Sequence, residues 1–344
     1  MKKVRLGKTE LFVSSIGFGG IPITRLSVEE GTRLVRHCFD RGITFFDTAP
    51  LYGDSEVKVG AGVDGVRDQV ILATKTIKRR NSEVAEELEK SLSRLRTNYI
   101  DLYQLHNVAD SETLETVLAP GGAYEAALHA QKAGKVKHIG LTSHNIDVAA
   151  RACKTGSFST IQIPFSMIEF DPAERLFPTA REYDMGIIAM KPLGGGLLER
   201  ADLCFRFLQQ YQDVVPIPGV EKTQEVDENI GYYSTVRPLS EEDRADIERI
   251  RKEVGTRFCH RCGYCQPCEQ GVEIWKVLLF RAQVKRFPPR TAIAMAKDVM
   301  KQAEDCIQCG ECADKCPYEL PVPDLVSESL DYYRQFCREH GVSV

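Results

Sequence analysis

Eight of the 12 cysteines fall into two short runs near the C-terminus, and any fold for this chain has to gather those sulfurs. The second run reads Cys306-x2-Cys309-x2-Cys312-x3-Cys316-Pro317; the first reads Cys259-x2-Cys262-x2-Cys265-x2-Cys268, followed by Glu269. Three thiolates spaced by two residues can wrap three corners of a [4Fe–4S] cube, which leaves the fourth corner to a cysteine from elsewhere. Structural zinc is the competing chemistry, because zinc also takes paired C-x2-C ligands. Two such pairs only two residues apart leave little chain to close a zinc knuckle, and zinc gives no reason for the x3-Cys-Pro ending. Iron–sulfur is the expectation.

The second run resembles the ligand run of bacterial ferredoxins, and the first is nearly the same phrase with its last gap one residue shorter. In two-cluster ferredoxins the fourth ligand comes from the last cysteine of the other run. The resemblance therefore implies Cys259, Cys262, Cys265 and Cys316 around one [4Fe–4S] cluster, and Cys306, Cys309, Cys312 and Cys268 around a second. The remaining Cys38, Cys153, Cys204 and Cys337 have no ligand spacing and read as inert thiols. Met1-Lys2-Lys3-Val4 leads into polar residues rather than an apolar stretch, so no signal peptide is expected. No apolar run approaches a membrane span. These features fit a cytoplasmic protein in a reducing compartment. A net charge of −4 offers no basic excess for nucleic-acid binding.

Upstream of Cys259, short apolar runs alternate with helical patterns. Strands are expected at Ser15–Gly19, Thr44–Asp47, Val70–Lys75, Leu102–His106, Ile139–Ser143, Thr160–Pro164, Gly186–Met190 and Val215–Pro218. Between them, Ser82 to Leu95 carries Val84, Leu88, Leu92 and Leu95 at helical spacing behind a serine suited to N-capping. Eight strands alternating with helices predict an α/β fold closed as a (β/α)8 TIM barrel, with a doubly wound open sheet as the structural runner-up. Val4–Leu6 and Leu11–Val13 flank Gly7–Glu10 as a hairpin lid on the barrel bottom. Val272 to Lys301 reads as helical on both sides of Pro288-Pro289. The domains expected are the barrel over 1–252 and a small, mainly helical ferredoxin-like domain over 253–344. Gly60-Ala61-Gly62-Val63-Asp64-Gly65 matches G-x-G-x-x-G but follows a short helix from Ser55 to Val59 and leads into a strand. That is the wrong context for a dinucleotide fingerprint.

Barrel enzymes work at the C-terminal ends of their strands. Polar residues there are Asp47, Tyr52 in the loop that follows, Lys75 and His106, within Phe46-Asp47-Thr48-Ala49-Pro50-Leu51-Tyr52-Gly53, Ala73-Thr74-Lys75 and Leu105-His106-Asn107. This ordered set resembles the catalytic tetrad of the aldo-keto reductases. The resemblance continues through Gly140-Leu141-Thr142-Ser143, Gln162, Lys191-Pro192-Leu193-Gly194 and Ile217-Pro218-Gly219 to Glu228-Asn229, and the cysteine region looks like that of bacterial members with an appended two-cluster domain. It implies a nicotinamide-dependent interconversion of a carbonyl and an alcohol, using NADPH or NADH. Tyr52 would give the proton, Lys75 would lower the Tyr52 pKa, Asp47 would hold Lys75, and His106 would orient the carbonyl oxygen.

The resemblance also implies cofactor contacts. These are Gly19, Gly20, Asp47, Ser143, His144, Gln162, Met190, Lys191, Pro192, Leu193, Gly194, Gly219, Val220, Lys222, Glu225, Glu228 and Asn229. Two positions depart from the family at the nicotinamide: His144 stands where asparagine is usual, and Met190 where many members stack a tyrosine. NADPH-specific members tend to have serine and arginine at the places of Val220 and Glu225. A carboxylate repels a 2′-phosphate and Lys222 attracts it, which leaves NADH and NADPH both open. A hydride carries two electrons and a cubane passes one. The clusters then read as an electron store for a partner such as a ferredoxin, as a structural clamp, or as a source of single electrons to the substrate. The alternative functions are an electron-transfer protein with the barrel as docking platform, or a nicotinamide-binding regulator. An intact tetrad argues against the platform.

Overall fold

The computed structural model describes residues 1–255, 257–261, 263, 265–285, 287–316 and 318–342; Cys262 and Pro317 of the cysteine runs lie outside the described residues. Compactness divides the chain into two units, Met1–Gly194 with Leu198–Leu239, and Gly195–Leu197 with Ser240–Val344. The sequence boundary between 252 and 253 falls inside the helix Glu241–Gly255, which groups with the second unit.

The first unit opens with a hairpin of β1 (Lys3–Arg5) and β2 (Phe12–Ser14), paired Val4 to Val13. Eight parallel strands follow in ring order: β3 (Phe18–Gly19), β4 (Phe45–Asp47), β5 (Ile71–Thr76), β6 (Ile100–Leu105), β7 (Val136–Thr142), β8 (Thr160–Pro164), β9 (Gly186–Met190) and β10 (Val214–Ile217). Every residue of β6 and β8 is buried, as a parallel sheet covered on both faces requires. The ring closes where Gly17 N donates to Pro216 O (2.8 Å) and Gly19 N donates to Pro218 O (2.9 Å). A Cβ on Gly19 would lie 2.7 Å from Ile217 O, so only glycine lets the first and last strands meet. Closure excludes the open doubly wound sheet.

The hairpin lid is present. Val4, Leu6 and Val13 share one buried cluster with Phe45, Ala73, Leu102, Ile188 and Val215, which plugs the barrel interior. The helix expected behind β5 runs Asn81–Arg94 and buries Val84, Leu88 and Leu92, but Ser82 is not its cap. Arg80 is the N-cap, held extended by a bridge to Gly122, while Asn81 N donates to Gly121 O at 2.9 Å. This tertiary pairing starts the helix before the serine. Gly60 and Gly62 lie in the last turn of the helix Ser55–Gly62, where added Cβ atoms would come within 2.5 Å of Arg94 O and 2.4 Å of Val35 Cγ1. These glycines serve close packing.

The second unit is helical. Ile274–Leu278, Phe280–Gln283, Pro289–Ala303 and Val322–Glu339 pack around buried Val277, Phe280, Ala296, Met300, Val326 and Tyr333. Phe280 sits at the centre, with the rings of Tyr332, Tyr333 and Phe336 at 5.7, 5.1 and 5.7 Å. No helix among the described residues is long and apolar enough to cross a membrane.

Candidate active site and cysteine cavities

Parallel pairing sets the register that brings the polar strand ends together. Asp47 ends β4 opposite Ala73 of β5, and Lys75 of β5 lies opposite Gln104 of β6. Lys75 Nζ donates to Asp47 Oδ1 and also to Thr48 O, the latter at 2.9 Å. The second carboxylate oxygen accepts from Gln104 Nε2 (2.9 Å) and Gln162 Nε2 (3.2 Å). Both charges are buried, at 3% exposure for Asp47 and 1% for Lys75. A buried ion pair is tolerable only when its remaining lone pairs and protons are satisfied, and these hydrogen bonds do that.

Tyr52 hydrogen-bonds Lys75, whose Nζ lies 5.0 Å from the centre of the phenol ring. The His106 ring meets that of Tyr52 edge-on, centroids 5.8 Å apart and planes at 88°. Burial alone would push the Lys75 ammonium down; Asp47 and Tyr52 together outweigh it and hold its pKa above the ordinary lysine value. The His106 imidazole is held well below its ordinary pKa, first by burial and then by the charges of Lys75, Arg79 and Lys191. It is therefore neutral near pH 7, with one N–H to donate. A cavity of about 470 Å³ opens beside Lys75 and His106, with Pro50, Leu51, Ile77 and Lys78 in its walls. That is the size of a small-molecule site.

The other residues expected to touch cofactor sit at the same end of the barrel. Gly19 bridges to Gly219 at the closure, and Gly20 N donates to Asp47 O at 2.8 Å. Gln162 lies in β8, Met190 ends β9, and Lys191 to Gly194 turn away from it, with Gly194 N donating to Lys191 O. Ser143, immediately after β7 and followed by His144, is fully buried, and its hydroxyl donates to Val108 O at 2.7 Å, so toward a ligand it can only accept. Val220 and Asn229 are buried, while Lys222 and Glu228 are exposed. The Glu225 carboxylate accepts from the amides of Glu221 (2.8 Å) and Lys222 (3.3 Å) at the start of the helix Thr223–Ser234. Its first use is to cap that helix. Across the same turn, Arg25 pairs with Glu221 at 3.1 Å.

In the second unit the described cysteines line two cavities with apolar walls. Cys268 shares one with Cys306, Cys309 and Cys312, walled by Val272, Ile274, Pro323 and Val326. Cys316 shares the other with Cys259 and Cys265, walled by Leu278, Leu320 and Val322. Each cavity is thus lined by cysteines of both runs. Cys265 borders both. Sulfur donors inside apolar walls fit an iron–sulfur group. Cys38, Cys153 and Cys204 are buried in the first unit, and Cys337 in the second. Burial pushes the Cys153 and Cys204 thiols up to about 12 each, which makes them unreactive.

The profile of the Aldo/keto reductase family matches residues 15–203, more than half of the chain. The chain belongs to the aldo/keto reductase family. A 4Fe-4S dicluster domain matches residues 258–321. Among curated relatives, the "Probable aldo-keto reductase 1" of Glycine max is 30% identical over 312 residues, covering 72% of this chain and 88% of the relative. Among solved structures, the holo form of aldo-keto reductase AKR11C1 from Bacillus halodurans is 26% identical with a TM-score of 0.62, covering 73% of this chain and 96% of that one. An aldo-keto reductase from Klebsiella pneumoniae in complex with NADPH, 24% identical with a TM-score of 0.62 and covering 73% of this chain and 95% of its own, shares the fold.

As a member of this family the protein is an aldo-keto reductase-type NAD(P)H-dependent oxidoreductase. Sequence reasoning missed Gln104, the second support of Asp47. Its only signal is a glutamine in the fully buried strand Ile100–Leu105.

Proposed function

We propose that the barrel interconverts an aldehyde or ketone and an alcohol, with the nicotinamide of NADPH or NADH bound at the strand ends, and that the second unit carries two [4Fe–4S] clusters. The observation that carries the first part is the convergence of Asp47, Lys75, Tyr52 and His106 in one buried hydrogen-bonded group beside an open cavity. Bound there, the nicotinamide would supply the hydride for the carbonyl carbon. Tyr52 gives the proton to the oxygen, and the Lys75 ammonium favours the phenolate left behind. Asp47, fixed by Gln104 and Gln162, keeps that ammonium in place. His106, neutral, donates to the carbonyl oxygen and sets its approach. A Klebsiella pneumoniae aldo-keto reductase of the same fold, in complex with NADPH, supports the choice of a nicotinamide cofactor.

Cys259, Cys262, Cys265 and Cys316 would hold one cluster, and Cys268, Cys306, Cys309 and Cys312 the other; the clusters supply one-electron exchange. A small redox protein such as a ferredoxin is the matching class of partner, because a hydride does not divide between cubanes without a two-electron converter. The test is an anaerobic panel of aldehydes and ketones with each nicotinamide, wild type against Tyr52→Phe. Turnover of no carbonyl by protein that binds the nicotinamide would overturn the reading.

A further inference from the structure

The geometry points to Arg79 as a positioning residue for His106, acting through the backbone of the turn that carries the imidazole. The inference rests on the role given to His106 above. That turn leaves the end of β6, and each of its backbone groups from His106 to Val108 has a partner. His106 N donates to Thr76 O (2.8 Å), Asn107 N to Thr142 Oγ1 (2.8 Å), and Val108 N to Thr142 O (2.9 Å). Val108 O accepts from Ser143 Oγ. The two remaining carbonyls, His106 O and Asn107 O, both accept from Arg79 Nη2, at 2.7 and 3.1 Å.

A reason for so complete a clamp lies at Asn107, whose φ of 52° is in the left-handed region. That conformation is uncommon for a residue with a Cβ, asparagine tolerating it better than most, and the hydrogen bonds around it fix the turn there. The imidazole itself has little else to locate it: Nδ1 is buried without a hydrogen-bond partner among the described residues, leaving the edge contact with Tyr52 and the backbone frame. The Arg79 guanidinium forms no ion pair among the described residues, and Asp110 acts on it only at longer range. Nη2 of a half-buried cation is thus committed to two carbonyls of one turn, while Nη1 is buried without a hydrogen-bond partner among the described residues.

The charge of Arg79 has a second effect. The cations facing His106 are Lys75 from β5, Arg79 from the loop after it, and Lys191 from the loop after β9; Asp47 is engaged by Lys75. Removing one of the three makes the imidazolium easier to form.

The experiment compares Arg79→Met, Arg79→Gln and Arg79→Lys in the full-length protein purified without oxygen. For Arg79→Met the expected result is a kcat about tenfold or more below wild type with the nicotinamide Kd within about twofold. The acid limb of its pH–kcat profile should also move to higher pH. Arg79→Lys should restore that limb without restoring kcat, and Arg79→Gln should recover part of kcat without the limb. A wild-type kcat and profile in Arg79→Met would overturn the inference. So would a loss of kcat, nicotinamide affinity and thermal stability in parallel with an unmoved acid limb, since that is a general structural effect. If Arg79→Met fails to fold, the Gln and Lys variants carry the same test. NMR titration of ¹⁵N-labelled His106 in the variants reads the charge effect without turnover. A His106→Gln protein with wild-type kcat would instead indict the role given to His106.

Discussion

Lys75→Met removes a buried ammonium while keeping most of its stem, and it isolates what the tetrad demands of the barrel. In the wild type, Asp47 is a buried carboxylate whose one oxygen faces Lys75 Nζ and whose other accepts from Gln104 and Gln162. The variant keeps the two amide donors and loses the countercharge, and removing one partner of a buried pair costs about 3–5 kcal/mol. For a unit of this size that is roughly 6–20 °C in melting temperature.

The sign of the pH dependence follows from the carboxylate. Without the cation, the buried charge of Asp47 is left uncompensated, and burial favours its neutral form. The penalty is then present at neutral pH and shrinks in acid, where an uncharged carboxyl carries no charge-burial cost. In the wild type, Lys75 is held above the ordinary lysine value, so its stabilisation is fully present below the unfolded pKa of about 10.4 and is lost as pH rises through the folded pKa. The gap between variant and wild type should therefore be wide at pH 7 and narrow near pH 4. Far-UV circular dichroism melts follow the barrel. The chain's 1 tryptophan, Trp275, lies in the second unit, so its fluorescence reads that unit separately. Lys75→Met/Asp47→Asn should recover most of the loss, since it buries no lone charge. An unchanged melting temperature at pH 7, or a double variant no better than the single, would refute the account.

Tyr52→Phe should lower kcat by about two powers of ten or more while nicotinamide affinity, measured by fluorescence titration, stays near wild type. Glu225→Arg should shift kcat/KM toward NADPH over NADH. Because Glu225 caps a helix, the same change should also lower stability by about 0.5–2 kcal/mol, whereas Glu225→Gln should keep more of the cap and leave the preference nearer wild type. Protein purified without oxygen should contain about eight irons per chain, with Cys316→Ser and Cys268→Ser each losing about four; stoichiometric zinc with negligible iron would count against this.

The eight barrel strands were legible because strands covered on both faces read as apolar runs, and the catalytic candidates because a polar residue ending such a run has few reasons to be there. Asp47, Lys75 and His106 all carry that signature. What escaped depends on neighbours remote in sequence. Ser82 has the chemistry of a cap, but the pairing of Arg80 with Gly122 starts the helix before it. Glu225 reads as a charge facing a phosphate, and its capping of the amides of Glu221 and Lys222 was not foreseen. A lysine at the N-cap gives no capping signature that would have revealed this. Gln104 and Arg79 are single long polar side chains, and only the ring closure and strand register show that they end beneath Asp47 and behind His106.

The two units meet the problem of buried polarity in opposite ways. In the barrel, the charges of Asp47 and Lys75 are satisfied by groups of the same chain, so the site is organised by the fold before any nicotinamide arrives. The price is a buried pair whose parts cannot be removed singly. In the second unit, cysteines line two cavities with apolar walls, and each cavity draws on two runs separated by the helices Ile274–Leu278, Phe280–Gln283 and Pro289–Ala303. Bringing those runs together closes a long loop, and metal–sulfur bonds would offset that entropy. On the proposed ligation, neither run can complete a cluster alone, so each cluster would staple both ends of the intervening helices at once. Folding of the second unit and loading of its iron would then be one process, while the barrel needs only its own side chains.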